Sequence, residues 1–202
     1  MTVTSGADAL PVGAEAVVFL GTGRPLARIG VPVVVLRPGE LLVAIELVTL
    51  CDRDRRILSG AARATGPVVL GHEQVGRVLA MSPDRPPRDG RGRRLSVGDR
   101  VVWAAGVAGH RYGQDRVERG WELSGGCATH VQVLARTPIV RLPEEADGLA
   151  VAAASCGALS TRALAAAADA PGPAEAAQEF ALADAERAFA ALAAGGRVSL
   201  RP

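Results

Sequence analysis

The sequence predicts a mainly β protein with flanking helices, an α+β fold, and three observations predict it. Val- and Leu-rich runs of roughly four to eight residues, cut by Gly and Pro, fill the first two-thirds of the chain. An alanine-rich stretch follows them, and an amphipathic segment closes the chain. With 202 residues, 49% of them hydrophobic and 22% charged, the chain has ample material for a folded core.

From Glu15 to Val48 the chain reads as short strands broken by turns, with "RPGE" at Arg37–Glu40 as one turn. The segment "LGTGRPLARIG" begins like a dinucleotide-binding fingerprint and fails as one. Leu26 stands where the third glycine belongs, and no amphipathic helix with an acidic partner follows. A hairpin turn is the better account. Strand-like segments continue through "VVLGHEQVGRVLAM", "GDRVVWAAGV", "GGCATHVQVL" and "TPIVRLP". Gly148 to Ala170 is alanine-rich without β-branched clusters, which predicts helix in two pieces parted near Cys156 and Gly157. Pro171, Gly172 and Pro173 stop it. "LADAERAFAALAAGG" predicts an amphipathic helix anchored by Leu182, Phe189 and Leu192 with Gly195 past its end, and "RVSL" predicts a closing strand.

Composition narrows the partners. Net charge is +2 and all 23 basic residues are arginine, spread along the chain. The densest group, "DRPPRDGRGRR" at Asp84–Arg94, carries Pro and Gly without aromatics and reads as a solvated loop. With one Tyr, two Trp and three Phe there is no stacking platform for bases, so a nucleic-acid partner is not expected and a small-molecule substrate is. No run approaches the roughly 20 apolar residues of a membrane span, and "MTVTSGADALPVGAE" lacks a secretory pattern, which predicts a cytoplasmic protein with no membrane partner.

Three widely spaced cysteines, Cys51, Cys127 and Cys156, do not predict a disulfide framework. They read either as small buried residues or as metal ligands. Cys51 and His72 both follow strand-like runs and Cys156 lies in the helical region, so two thiolates and an imidazole have a route to one place. Catalytic zinc keeps three ligands of this kind and leaves a fourth position for water or substrate.

"ELVTLCDRD", "VVLGHEQVGRV", "SVGDRVV", "GGCATHVQVL", "IVRLPEEAD" and "AAASCGALST" occur in the order and approximate spacing of medium-chain zinc-dependent alcohol dehydrogenases. The chain resembles the catalytic domain of that family, with "RYGQDRVERGWELSGGCATH" most similar to the phosphonate-associated alcohol dehydrogenases. The resemblance implies a GroES-like, partly open β-barrel over residues 1–168, a short linker over 169–179, and a C-terminal helix and strand over 180–202 returning to the same domain. It implies Zn2+ on Cys51, His72 and Cys156, with Glu73 as an acidic neighbour able to approach the metal. Asp54 matches the carboxylate that orients the ligand histidine.

Three departures qualify the resemblance. The family's four closely spaced cysteines for a structural zinc are missing, and Cys127 reads as a buried apolar residue. Arg53 stands where the family commonly has a Ser or Thr that relays the substrate proton; it either fixes an anion near the metal or points to solvent. Only "DAPGPAEAAQEF" occupies the place of the family's nucleotide-binding Rossmann domain, so NAD(P) binding by this chain alone is not expected.

The leading expectation is therefore a zinc enzyme of lyase, isomerase, cyclase or hydration type acting on a small oxygenated molecule, with a phosphonate or carboxylate as candidates. Glu73, Asp54 and Arg53 are its candidate catalytic residues, with His110 or His130 assisting if folding brings either near, and Arg111 a further candidate anion contact. Two alternatives stand beside it: a dehydrogenase catalytic domain that takes its nucleotide domain in trans, and a non-catalytic binding or vestigial protein. A homodimer through the Leu149–Ala168 surface is expected where the missing domain would otherwise cover apolar side chains.

Overall fold

The computed structural model describes residues 14–30, 35–62, 67–104, 125–158, 160–173 and 177–202. The hairpin expected at "GTGRP" is present: β1 (Glu15–Phe19) and β2 (Ala27–Gly30) pair antiparallel, and the Arg24 amide donates to Gly21 O to close the turn. β1 also pairs with the short β4 (Val68–Val69), making a three-stranded sheet.

The second sheet is built around β3 (Leu41–Leu50), which follows the "RPGE" turn. One edge of β3 pairs along its length with β5 (Glu73–Met81). The other edge is shared: Leu41–Ala44 pair with β7 (His130–Val133), and Val48–Leu50 pair with β10 (Val198–Arg201). β6 (Arg100–Trp103) and β8 (Ile139–Arg141) extend the sheet beyond β5, and β9 (Gln178–Ala181) lies outside β10. Two register shifts in β3, at Leu42/Val43 and Ile45/Leu47, bend the strand so that one long element serves both partners. The two sheets meet where Ala16 bridges Ala128 and the Val17 amide donates to Cys127 O. This arrangement is the mainly β architecture with flanking helices that the sequence predicted.

Among the described residues four α-helices pack on the sheets. α1 (Asp52–Leu58) leaves the end of β3, α2 (Gly148–Ala154) packs on β3 and β5, α3 (Thr161–Asp169) packs on β6 and β8, and α4 (Ala185–Ala193) packs on β9 and β10. The expected break near Cys156 and Gly157 separates α2 from α3. The closing helix carries Phe189 and Leu192 into the core, while Leu182 sits in a preceding 3-10 turn. α1 and β9 are additions to the sequence reading: α1 is highly charged and buries only Asp54 and Ile57, and β9 lies mostly exposed at the sheet edge and takes in the last two residues of the expected linker.

The entry to α2 is fixed by ions. The Arg77 guanidinium donates to both carboxylate oxygens of Glu144 at 2.9 and 2.8 Å and to Gly98 O at 3.0 Å. Arg100 donates to Glu46 at 2.7 Å and to Ala146 O at 2.7 Å. β3, β5 and β6 thereby hold the loop that launches α2, and Cys156 follows from the end of that helix. No described helix is long and apolar enough to cross a membrane.

Candidate metal centre

Cys51 stands at the junction of β3 and α1 and caps the helix. Its Sγ accepts the Arg53 amide at 3.3 Å, and its own amide donates to Asp54 Oδ2 at 3.0 Å, the reciprocal arrangement of a capping box with a thiol in the usual hydroxyl position. Asp54 is fully buried, and its Oδ1 accepts the Gly71 amide at 3.1 Å. Gly71 has φ +86°, and a Cβ there would lie 2.5 Å from Val48 Cγ2, so only glycine turns the chain at this point without strain. The turn delivers His72 and then Glu73 at the start of β5, directly across from Thr49.

The His72 ring lies between its partners. Nδ1 is 3.3 Å from Asp54 Oδ2, and Nε2 is 3.4 Å from Cys51 Sγ and 3.9 Å from Cys156 Sγ. Cys156 arrives in the turn after α2, where Ser155 Oγ donates to Ala152 O and Gly157, at φ +74°, ends the helical turn. One ligand atom each from Cys51, His72, Glu73 and Cys156 falls within 4.8 Å of all the others. The Glu73 carboxylate accepts a 2.5 Å hydrogen bond from the Thr49 hydroxyl.

The donor set fits zinc. At bond lengths of about 2.3 Å to sulfur and 2.0–2.1 Å to nitrogen, tetrahedral geometry sets sulfur and nitrogen about 3.6 Å apart. The two observed separations, 3.4 and 3.9 Å, bracket that value. Asp54 against Nδ1 fixes the tautomer that leaves Nε2 as the donor.

Burial and neighbouring charge couple the side chains of the pocket. A hydrogen bond from Cys156 and burial push the Cys51 thiol far above its usual range, against the pull of His72. Burial disfavours charge on His72, but the Asp54 carboxylate and Cys51 outweigh it and push the imidazole up to about 10. Burial also works to raise Asp54, yet His72 and the amides of Cys51 and Gly71 hold its carboxyl below the usual range.

The cluster forms one wall of a cleft of about 570 Å³. Leu149 and Ala153 of α2 line it, as do Leu192 of α4, Val198 of β10 and Arg197 just before that strand. Arg53 also lines it from α1, so the sequence candidate that offered two readings sits at the cleft. His130 does not join the site: it pairs with Ala44 near the opposite end of β3, about 20 Å from Cys51 at the usual strand rise, and its Nδ1 lies 2.8 Å from Thr129 Oγ1. His110 and Arg111 lie outside the described residues. Cys127 is completely buried in the apolar core under β1 and β3. Thr49 is the site residue that the sequence concealed, because a threonine inside an apolar strand carries no signal until the register of β3 against β5 is known.

Comparison with known proteins places the chain among dehydrogenase relatives. The chain is 31% identical over 140 residues to the 5-exo-hydroxycamphor dehydrogenase of Pseudomonas putida, covering 62% of this chain and 38% of that protein. It is 37% identical over 76 residues to the erythritol/L-threitol dehydrogenase of Mycolicibacterium smegmatis, covering 33% of this chain and 20% of that protein. It therefore spans well under half the length of these relatives. An alcohol dehydrogenase structure from Thermotoga maritima shares the fold with a TM-score of 0.62 at 24% identity, over 70% of this chain and 44% of that one. The family model of the alcohol dehydrogenase GroES-like domain matches residues 37–144, more than half of the sequence, and the chain belongs to that family.

Proposed function

We propose that Cys51, His72 and Cys156 hold one Zn2+ and that the site acts on a small oxygenated molecule by non-redox chemistry of lyase, isomerase, cyclase or hydration type. The observation that carries the metal is the convergence of four donor atoms within 4.8 Å at the wall of an open cleft. Zinc bound there supplies Lewis acidity toward an oxygen ligand and lowers the pKa of bound water to about 7. Asp54 keeps the His72 ring in the donating orientation. Glu73, buried at the cleft wall, takes or returns a proton through its carboxylate. Leu149, Ala153, Leu192 and Val198 exclude water from one side, and Arg53 orients a carboxylate or phosphonate on the substrate.

The non-redox choice is supported by the sheets. Among the described residues every strand pair is antiparallel except β9 with β10, and only residues 170–177 separate α3 from β9. A dinucleotide site of the usual kind needs a parallel βαβ sheet with a glycine-rich turn at a helix N-terminus. The names of the relatives favour a second reading, in which this is a dehydrogenase catalytic domain whose nucleotide domain comes from another polypeptide or segment.

Elemental analysis of the purified chain beside Cys51→Ala and His72→Ala, with a nicotinamide titration of the same samples, separates the readings. About one zinc per chain, lost in both variants, supports the zinc site, and non-redox work is favoured when no nicotinamide binds either to the chain alone or after a separately encoded nucleotide-binding domain is added. Nicotinamide binding by the zinc-loaded chain favours hydride transfer, and a zinc-free wild type removes both.

A further inference from the structure

We propose that Thr49 is a positioning residue that latches the Glu73 carboxylate away from the metal and so keeps a coordination position open, an inference that rests on the zinc reading above. The register of β3 against β5 sets Thr49 directly opposite Glu73, and opposed residues of an antiparallel pair present their side chains on the same face. Val48 and Leu50, its neighbours along β3, belong to the apolar core, and Thr49 and Glu73 line the cleft together with Leu50. The hydroxyl donates to Glu73 Oε2 at 2.5 Å, and both residues are buried, at 6% and 4% exposure.

Glu73 therefore has two competing places. One of its oxygens is within 4.8 Å of the donor atoms of Cys51, His72 and Cys156, close enough to become the fourth ligand. A buried carboxylate must have a partner, and without the hydroxyl a cation held by the neighbouring donor atoms is a partner within reach. Four protein ligands make the closed arrangement of a structural zinc site, whereas three leave the open position that catalysis uses. β-Propensity does not account for the hydroxyl, since valine fits a pleated strand as well as threonine does.

Co2+ is the probe, because its visible spectrum reports coordination, with thiocyanate as the exogenous ligand and chelator competition giving Zn2+ affinity. Wild type and Thr49→Ser are expected to change spectrum on adding thiocyanate. Thr49→Val is expected to lose that response and to hold Zn2+ at least tenfold more tightly, and Glu73→Gln in the Thr49→Val background is expected to restore the open-site spectrum. Thr49→Ala carries the same expectation without depending on how valine packs. A purely structural threonine gives the opposite sign, weaker Zn2+ binding in step with a lower melting temperature, and that result overturns the latch. Metal uptake and thiocyanate response identical in wild type and Thr49→Val overturn the latch alone. A wild type that takes up neither Co2+ nor Zn2+ overturns the metal centre and the latch together.

Discussion

Replacing Asp54 by asparagine tests how much of the site depends on one buried carboxylate. Its two oxygens accept the Gly71 amide at 3.1 Å and the Cys51 amide at 3.0 Å and face His72 Nδ1 at 3.3 Å. Asparagine keeps the shape but turns one acceptor into a donor. With its NH2 group toward Gly71 it strands one backbone amide; with the NH2 group toward Cys51 and His72 it opposes two donors. The first orientation is the cheaper, and a buried donor left without its acceptor costs about 1–3 kcal/mol. At about 2–4 °C per kcal/mol for a chain of this size, the metal-free variant melts roughly 2–12 °C lower. Loss of the carboxylate behind a ligand histidine typically costs 10–100-fold in metal affinity. Chelator competition and calorimetry on the same preparations read both quantities. An asparagine variant that binds Zn2+ as tightly as wild type refutes the claim that Asp54 organises the centre, whatever its melting temperature.

The other predictions concern the frame around the site. Gly71→Ala places a Cβ 2.5 Å from Val48 Cγ2 at φ +86°, so left-handed strain and overpacking together are expected to cost about 2–5 kcal/mol, read as a lower denaturant midpoint. Leu164→Ala empties a fully buried position where α3 packs on β6 and β8 and is expected to cost about 2–5 kcal/mol, with an unchanged denaturant slope. Burial holds His130 below its usual pKa, so at mildly acid pH the unfolded chain binds a proton that the folded chain refuses. Stability present above about pH 6.5 is therefore expected to fall as pH drops through the folded value, and urea unfolding of His130→Gln should show a shallower loss between pH 7 and 5.

Local patterns account for much of what was legible in the sequence. The hairpin at Gly21–Arg24, the break between α2 and α3, and the core side chains of α4 follow from Gly and Pro placement and from apolar spacing. The meeting of Cys51, His72 and Cys156 is different: 84 residues separate His72 from Cys156, and only the ordered motifs of a related family linked them in advance. α1 escaped notice because "DRDRRIL" reads as a solvated charged loop, and its cap is a cysteine rather than a hydroxyl. β9 escaped because four mostly exposed residues carry little alternation, their pairing being set by β10. The bond from Thr49 to Glu73 and the sharing of one edge of β3 between β7 and β10 are products of register, which depends on bulges and long-range pairing.

Crystals grown with Zn2+ and measured on both sides of the zinc absorption edge test the central claim most directly. The account predicts one anomalous peak per chain, about 2.3 Å from the sulfurs of Cys51 and Cys156 and about 2.0–2.1 Å from His72 Nε2. No peak at that point, or a zinc bound elsewhere while Cys51, His72 and Cys156 stay unligated, contradicts it.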